Sequence, residues 1–248
     1  MEILEKVKTK IVALWASPRS VSTAFEKTFS QRSDTEIVHE PFCDTYYFSQ
    51  WKRSERFGEV KELENYSSAE AIKKIASFKS SLVFVKDHAY QVLPYVDRHF
   101  FSSLTNTFII REPQEVIASW YRVKEYPTEE EFGFTAIEKT WQIVVEELGQ
   151  KPIVVEANSF RSQPEKTLQL YCKNIGVEFE PKMLNWHNGK LQNWNDREAQ
   201  FHGKWHSTLD RSQGIIPPIK EIVEIRPQEK EIVARATKIY QKLYEYAL

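Results

Sequence analysis

The stretch from Lys10 to Phe29 constrains the fold more than any other part of the chain. Ile11 to Trp15 is a nearly continuous apolar run, the pattern of a strand buried on both faces of a parallel sheet. Ser17, Pro18, Arg19, Ser20, Ser22 and Thr23 crowd the polar loop that follows. From about Ser20 the spacing of Val21, Ala24, Phe25 and Phe29 predicts an amphipathic helix, with Ser17 or Ser20 as its cap. Strand, short loop and helix start together make an anion site, because the first helical N–H groups lack intrahelical partners and the helix dipole is positive there. Arg19 adds a fixed charge, and the hydroxyls of Ser20, Ser22 and Thr23 add donors. No glycine precedes Gly58, so the phosphate loop G-x-x-x-x-G-K-[ST] is absent and a Mg-ATP reading is weakened.

A chain of 248 residues can bury a large core, and α/β architectures of this size are commonly one unit, so residues 1–248 are read as a single domain. With 34 basic and 35 acidic residues the net charge is −1, which gives no bulk attraction to nucleic acid or to an acidic membrane. Cys43 and Cys172 do not make a disulfide framework. No apolar run approaches the roughly 18 residues of a membrane span, and the start MEILEKVKTK lacks a signal-peptide core. These features predict a soluble, cytoplasmic protein, and nothing in them specifies an oligomeric state.

Other strand candidates end in chemistry. Glu36 to Val38 runs into His39, Glu40 and Pro41; Pro41 biases Glu40 to an extended backbone at a strand end, where open α/β sheets place ligand-contacting groups. Glu40 can equally serve a structural ion pair with Arg19 or Lys86. Leu82 to Val85 is apolar and delivers Lys86, Asp87 and His88 in succession, of which His88 is the best base by its chemistry. Thr107 to Ile110 is a further strand, followed by Arg111 and by a helix with Pro113 in its first turn and Val116, Ile117 and Trp120 as its buried stripe. Arg111 and Ser119 can then face one ligand. Helices are also predicted over 68–78 with Ser68 as cap, 136–148, 161–175, 217–224 and 227–246, and a buried strand over 152–155.

The loop SPRSVST and the segment FIIREPQEVIASWYR together resemble the two cofactor motifs of the sulfotransferase superfamily that uses 3′-phosphoadenosine 5′-phosphosulfate (PAPS). The opening through HEPF looks closer still to a bacterial sulfotransferase-like branch. The resemblance implies a P-loop NTPase-like sulfotransferase fold, with a central, mainly parallel sheet flanked by helices. It implies sulfuryl transfer from PAPS to a hydroxyl, or an amine, of a small-molecule acceptor, and the residues named for this chemistry require no metal. It places Arg19, Ser20, Ser22 and Thr23 on the 5′-phosphosulfate and Arg111 and Ser119 on the 3′-phosphate. In VKDHAYQVLP, Lys86 would stabilise charge and His88 would be the base.

The chain also departs from the family pattern. Arg19 stands where many members have Lys, and Val21 where cytosolic members have Gly, which puts the loop geometry in question. Other branches take their base from a Glu after the second strand, about where Glu40 stands, so two candidate bases coexist. Phe201 to Trp205 loosely resembles the loop that closes over the 3′-phosphate, making Lys204 a further candidate. His202 and His206 have helical metal-pair spacing but no acidic or Cys partner in a typical grouping, and no metal site is assigned. Two other classes stay open: a P-loop-type small-molecule kinase using ATP, which leaves Arg111 and Ser119 unexplained, and a non-catalytic nucleotide-binding module.

Overall fold

In the computed structural model, which describes residues 9–59, 61–64, 66–189, 205, 208–219 and 223–248, the apolar runs become strands β1 (Lys10–Ala16), β2 (Thr35–His39), β3 (Leu82–His88), β4 (Thr105–Ile110) and β5 (Ile153–Glu156). They form one sheet in the order β2-β3-β1-β4-β5, and every pairing is parallel. Parallel strands need crossovers, and helices supply them. These are α1 (Ser22–Phe29), α2 (Cys43–Phe48), α3 (Ser68–Ser77), α4 (Ala89–Val92), α5 (Arg98–Ser102), α6 (Pro113–Arg122), α7 (Glu129–Phe132), α8 (Phe134–Trp141), α9 (Ala157–Ser162), α10 (Pro164–Ile175) and α11 (Lys230–Tyr244).

Alternation along β1 divides the core between the two faces of the sheet. Val12, Leu14 and Ala16 pack with Phe25 and Phe29 of α1 and Leu168 and Tyr171 of α10. Ala13 and Trp15 face the opposite cluster, with Phe101, Trp141, Val233 and Leu243. Phe29 stacks on Phe84 with centroids 4.2 Å apart, and truncating either ring to Ala would cost about 3–5 kcal/mol. Two polar groups at the centre of the sheet are paired: the Trp15 indole N–H donates to Asn106 Oδ1 at 2.8 Å, and the Thr107 hydroxyl donates to the Ala13 carbonyl at 2.9 Å.

The register brings the strand exits to one edge. Ala16 pairs with His88 on one side and Ile109 on the other, His39 with Lys86, and Ile110 with Glu156. Since the connection from β1 leads to β2 on one side and that from its neighbour β4 leads to β5 on the other, this edge holds the crevice where ligands bind in open α/β sheets.

Several local expectations change. The cap of α3 is Ser67, whose side chain accepts from the Glu70 N–H at 3.3 Å. The helix expected over 136–148 is α only to Trp141 and widens to a π-helix at Gln142–Glu147, so apolar spacing found its face and not its ladder. The segment expected as one helix over 161–175 is broken at Pro164, which opens α10 because proline has no N–H to continue α9. Residues 217–219 and 223–226 are irregular rather than helical, and Pro227–Glu229 is a 3-10 turn before α11. No helix among the described residues is long and apolar enough to cross a membrane.

Candidate functional site

The first loop reaches its helix by an unusual route. Neither Ser17 nor Ser20 caps α1: the Ser20 hydroxyl donates to the Ser17 carbonyl at 2.7 Å, and the N-cap position is Val21, which offers no side-chain acceptor. Val21 has φ 70° and Arg19 φ 62°. Left-handed backbone costs a non-glycine residue about 1–3 kcal/mol, and a β-branched one is an outlier there. Val21 thus keeps the backbone conformation that glycine would favour, and left-handed residues of this kind turn short loops into anion-binding concavities. The first intrahelical bond runs from the Phe25 N–H to the Val21 carbonyl. The N–H groups of Ser22, Thr23 and Ala24 therefore have no intrahelical partner and no side-chain cap.

The second motif closes on the first. Arg111, at the exit of β4 and buried, donates from Nε to Glu115 at 2.9 Å and from Nη1 to the Arg19 carbonyl at 3.0 Å. Arg19 in turn donates from Nε to the Ser119 hydroxyl of α6 at 3.0 Å and from Nη1 to the Trp205 carbonyl at 2.6 Å. Arg122 and Arg161 line the same cavity, a space of ≈ 490 Å³. Arg161 donates to the carbonyls of Ile216 at 2.8 Å and Pro217 at 2.6 Å. Burial, together with repulsion from Arg122 and Arg111, brings the Arg19 guanidinium down to about 10. Burial likewise lowers Arg161, with Arg111 adding to it. Guanidinium groups held this close favour an anion carrying more than one charge.

On the other side of β1 the cavity wall holds Glu40 and His88 among the aromatic side chains of Tyr47, Phe57 and Tyr90. Glu40 follows β2 with φ 40°, and its Oε1 is a focus of charge. Lys86, fully buried, donates to it from Nζ; His88 Nε2 lies 3.2 Å away and His39 Nε2 3.7 Å. Burial by itself would raise the Glu40 carboxyl, but Lys86, then His88 and His39, outweigh it and hold the group well below the usual carboxylate range. For His88 burial dominates; Glu40 opposes it and Lys86 adds to it, so the imidazole lies below its ordinary value. Its Nδ1 is enclosed with no hydrogen-bond partner in the described structure. Asp87, between them in sequence, is pushed up to about 8 by burial and by Glu40, and accepts from the N–H groups of Phe42 at 3.0 Å and His88 at 2.7 Å.

The structure therefore brings Arg19, Ser22, Thr23, Glu40, His88, Arg111 and Ser119 to one cavity. Ser20 is wholly buried, and Lys86 lies behind Glu40 rather than in the lining. Lys204, like His202 and His206, lies outside the described residues. Glu156 caps α9 through the Ser159 N–H at 2.7 Å. Glu131 forms a capping box with Thr128 and binds Arg56.

Sequence reasoning missed Arg122, Arg161, His39 and Glu26 as site residues. Arg122 was within reach, standing three residues after Ser119 on one helix face. Arg161 gave no comparable signal.

Comparison with known proteins bears on what such a site is for. The sequence model of the family described as Sulfotransferase domain matches residues 9–245. Branched-chain-amino-acid aminotransferase-like protein 2 of Arabidopsis thaliana is similar at 23% identity over 214 residues, which cover 85% of this chain and 37% of that protein. The chain thus spans well under half the length of that relative. Among solved structures, the sulfotransferase domain from the Synechococcus PCC 7002 olefin synthase superposes with a TM-score of 0.52 at 15% identity, covering 97% of this chain and 96% of that one. The sulfotransferase domain from the curacin biosynthetic pathway gives 0.52 at 15%, covering 92% and 97%. At such identity the two structures speak for the fold alone, which they share over nearly the whole chain.

Proposed function

Since the chain belongs to the sulfotransferase domain family, we propose that it moves a sulfuryl group from PAPS to a hydroxyl or amine of a small-molecule acceptor. The observation that carries this reading is the convergence of Arg19, Arg111, Arg122 and the uncapped start of α1 in one cavity, with Glu40 and His88 on its opposite wall. A donor with phosphate groups at two ends needs cationic and N–H donors along its whole length, and Arg19, which donates to Ser119 while Arg111 donates to its carbonyl, links the two ends of this set. The N–H groups of α1, the hydroxyls of Ser22 and Thr23 and the guanidinium of Arg19 suit the phosphosulfate, and Arg111 with Ser119 suits the 3′-phosphate.

The cofactor supplies an activated sulfuryl group. The acceptor oxygen forms its bond to sulfur as the bond from sulfur to the bridging phosphate oxygen breaks, and adenosine 3′,5′-bisphosphate leaves. The role of this chain is alignment and charge stabilisation, as in phosphoryl transfer. Arg19 and the α1 N–H groups would hold the phosphosulfate and stabilise charge on its leaving oxygen. His88, lowered by burial and so neutral near pH 7, would take the acceptor's proton at Nε2, since Nδ1 is enclosed. Its imidazolium then faces Glu40 at 3.2 Å, and Lys86 keeps Glu40 ionised and in place.

Calorimetric titration with adenosine 3′,5′-bisphosphate and with ATP, each with and without Mg²⁺, tests the donor. Tight, Mg²⁺-independent binding of the bisphosphate with weak binding of ATP is expected. Equal affinity for the two would overturn the donor assignment. Transfer of labelled sulfate from PAPS to panels of phenols, alcohols and amines then tests the reaction.

A further inference from the structure

We propose that Glu26 and His39 are positioning residues for the proton-accepting pair: a buried carboxylate and an imidazolium that hold Glu40 against His88 from behind. This rests on the reading of Glu40 and His88 given above.

Glu26 belongs to α1, one turn beyond Ser22, and is completely buried. Its Oε2 lies 2.7 Å from His39 Nδ1. The other ring nitrogen of His39 lies 3.7 Å from Glu40 Oε1, ion-pair range but beyond a hydrogen bond, and the same oxygen meets His88. His39 thus has a carboxylate oxygen at each nitrogen. A neutral imidazole carries one N–H and would turn a lone pair on one of the two; only the imidazolium presents a proton to both.

Among the described residues, the groups that bear most on the His39 charge are Glu26 from α1, Glu40 from the end of β2 and Lys86 from β3, with His88 of β3 beside them. Burial and Lys86 work against the imidazolium, and the two carboxylates outweigh them. A buried carboxylate without a compensating cation is costly, so Glu26 and His39 each need the other.

Two consequences follow for the site. Glu40 holds a left-handed backbone at φ 40°, which surrounding contacts must impose, and His39 adds a second cationic group beside the oxygen that Lys86 holds. The helix whose first turn faces the donor also carries, one turn on, the carboxylate that anchors His39. A shift of α1 is therefore passed to the Glu40–His88 contact through side chains that never touch either substrate.

The full chain, labelled in its histidine side chains, is titrated by NMR without donor or acceptor. His39 is expected to be protonated on both nitrogens at neutral pH, with a midpoint above the ordinary value of about 6.5. Glu26→Gln should lower that midpoint by about one unit or more, and should raise the His88 midpoint because the His39 charge holds it down. A neutral His39 in the wild type, or a His88 midpoint unmoved in Glu26→Gln, overturns the proposal. The wild-type measurement decides alone if the variant does not fold.

Sulfate transfer gives the second readout. In Glu26→Gln kcat should fall and its acidic limb move to higher pH, while affinity for adenosine 3′,5′-bisphosphate is unchanged; Glu26→Asp should restore part of the loss. A lower kcat with an unmoved limb means a merely structural role and refutes the assignment. The titration needs no reaction, so failure of the sulfuryl-transfer reading leaves it standing, and failure of the pair leaves transfer intact.

Discussion

Replacing Glu40 by Gln removes one charge from the oxygen that Lys86, His88 and His39 all approach, and its effects separate two roles for that residue. Lys86 is fully buried and Glu40 nearly so, with side-chain exposures of 0% and 9%. Breaking such a pair costs about 3–5 kcal/mol, and the lower end applies here because the amide oxygen can still accept from Lys86. Set against a typical total of about 5–15 kcal/mol, the protein should stay folded with a visibly lower denaturation midpoint. The catalytic consequence has a definite sign. Glu40 raises the His88 pKa against burial, so removing its charge lets that pKa fall further, and the acidic limb of the kcat profile moves to lower pH. His88→Ala, by contrast, should lose about 10²–10⁴ in turnover. The assays are urea unfolding and pH–rate profiles of both variants, read once an acceptor is in hand. If His88→Ala keeps near-normal turnover with its acidic limb intact while Glu40→Gln is inactive, Glu40 is the base and this account of the wall is wrong.

Other perturbations follow from the same geometry. Arg111→Ala should weaken binding of adenosine 3′,5′-bisphosphate by about 1.5–3 kcal/mol, through loss of a charge-assisted phosphate contact, and leave weak ATP binding unchanged in the same titration. Arg19→Ala should lower turnover more than donor affinity, because its interaction strengthens as charge develops; weakened binding at unchanged turnover would reduce it to an anchor. Val21→Gly should change stability by no more than about 1 kcal/mol, since relief at φ 70° offsets lost packing and the entropy of glycine, and thermal unfolding checks this. Glu40 has a depressed folded pKa, so its stabilisation is complete above the unfolded carboxylate value and is lost as pH falls through the folded one. Glu40→Gln should accordingly flatten the acid arm of the stability curve relative to wild type.

The sheet was readable because β1, β3 and β4 are apolar runs that end abruptly in polar residues, and a strand buried on both faces writes itself that way. Arg111, with Pro113 opening α6, was readable for a similar reason, since proline marks the first helical turn. Boundaries that depend on one hydrogen bond were not, as Ser67 in place of Ser68 shows. The cap of α1 ran against local preference, because nothing in a valine announces a left-handed backbone. Such conflicts between local propensity and fold gather where a ligand is handled. Glu26 and His39 were invisible for a different reason: a helix face and a strand end had to be brought together first, and only the crossover does that.

The hydrogen bonds of Arg19 and Arg161 to main-chain oxygens of Trp205, Ile216 and Pro217 bear on how fast a ligand arrives. A carbonyl satisfies a guanidinium donor without cancelling its charge, whereas a carboxylate would do both. Holding these side chains by neutral acceptors fixes their direction and leaves their field extending into the cavity mouth, where it can steer a multiply charged anion over about a Debye length, roughly 8 Å at physiological salt. The cavity should therefore capture a multiply charged anion quickly in dilute buffer and progressively more slowly as salt is added, even though the chain as a whole is close to neutral.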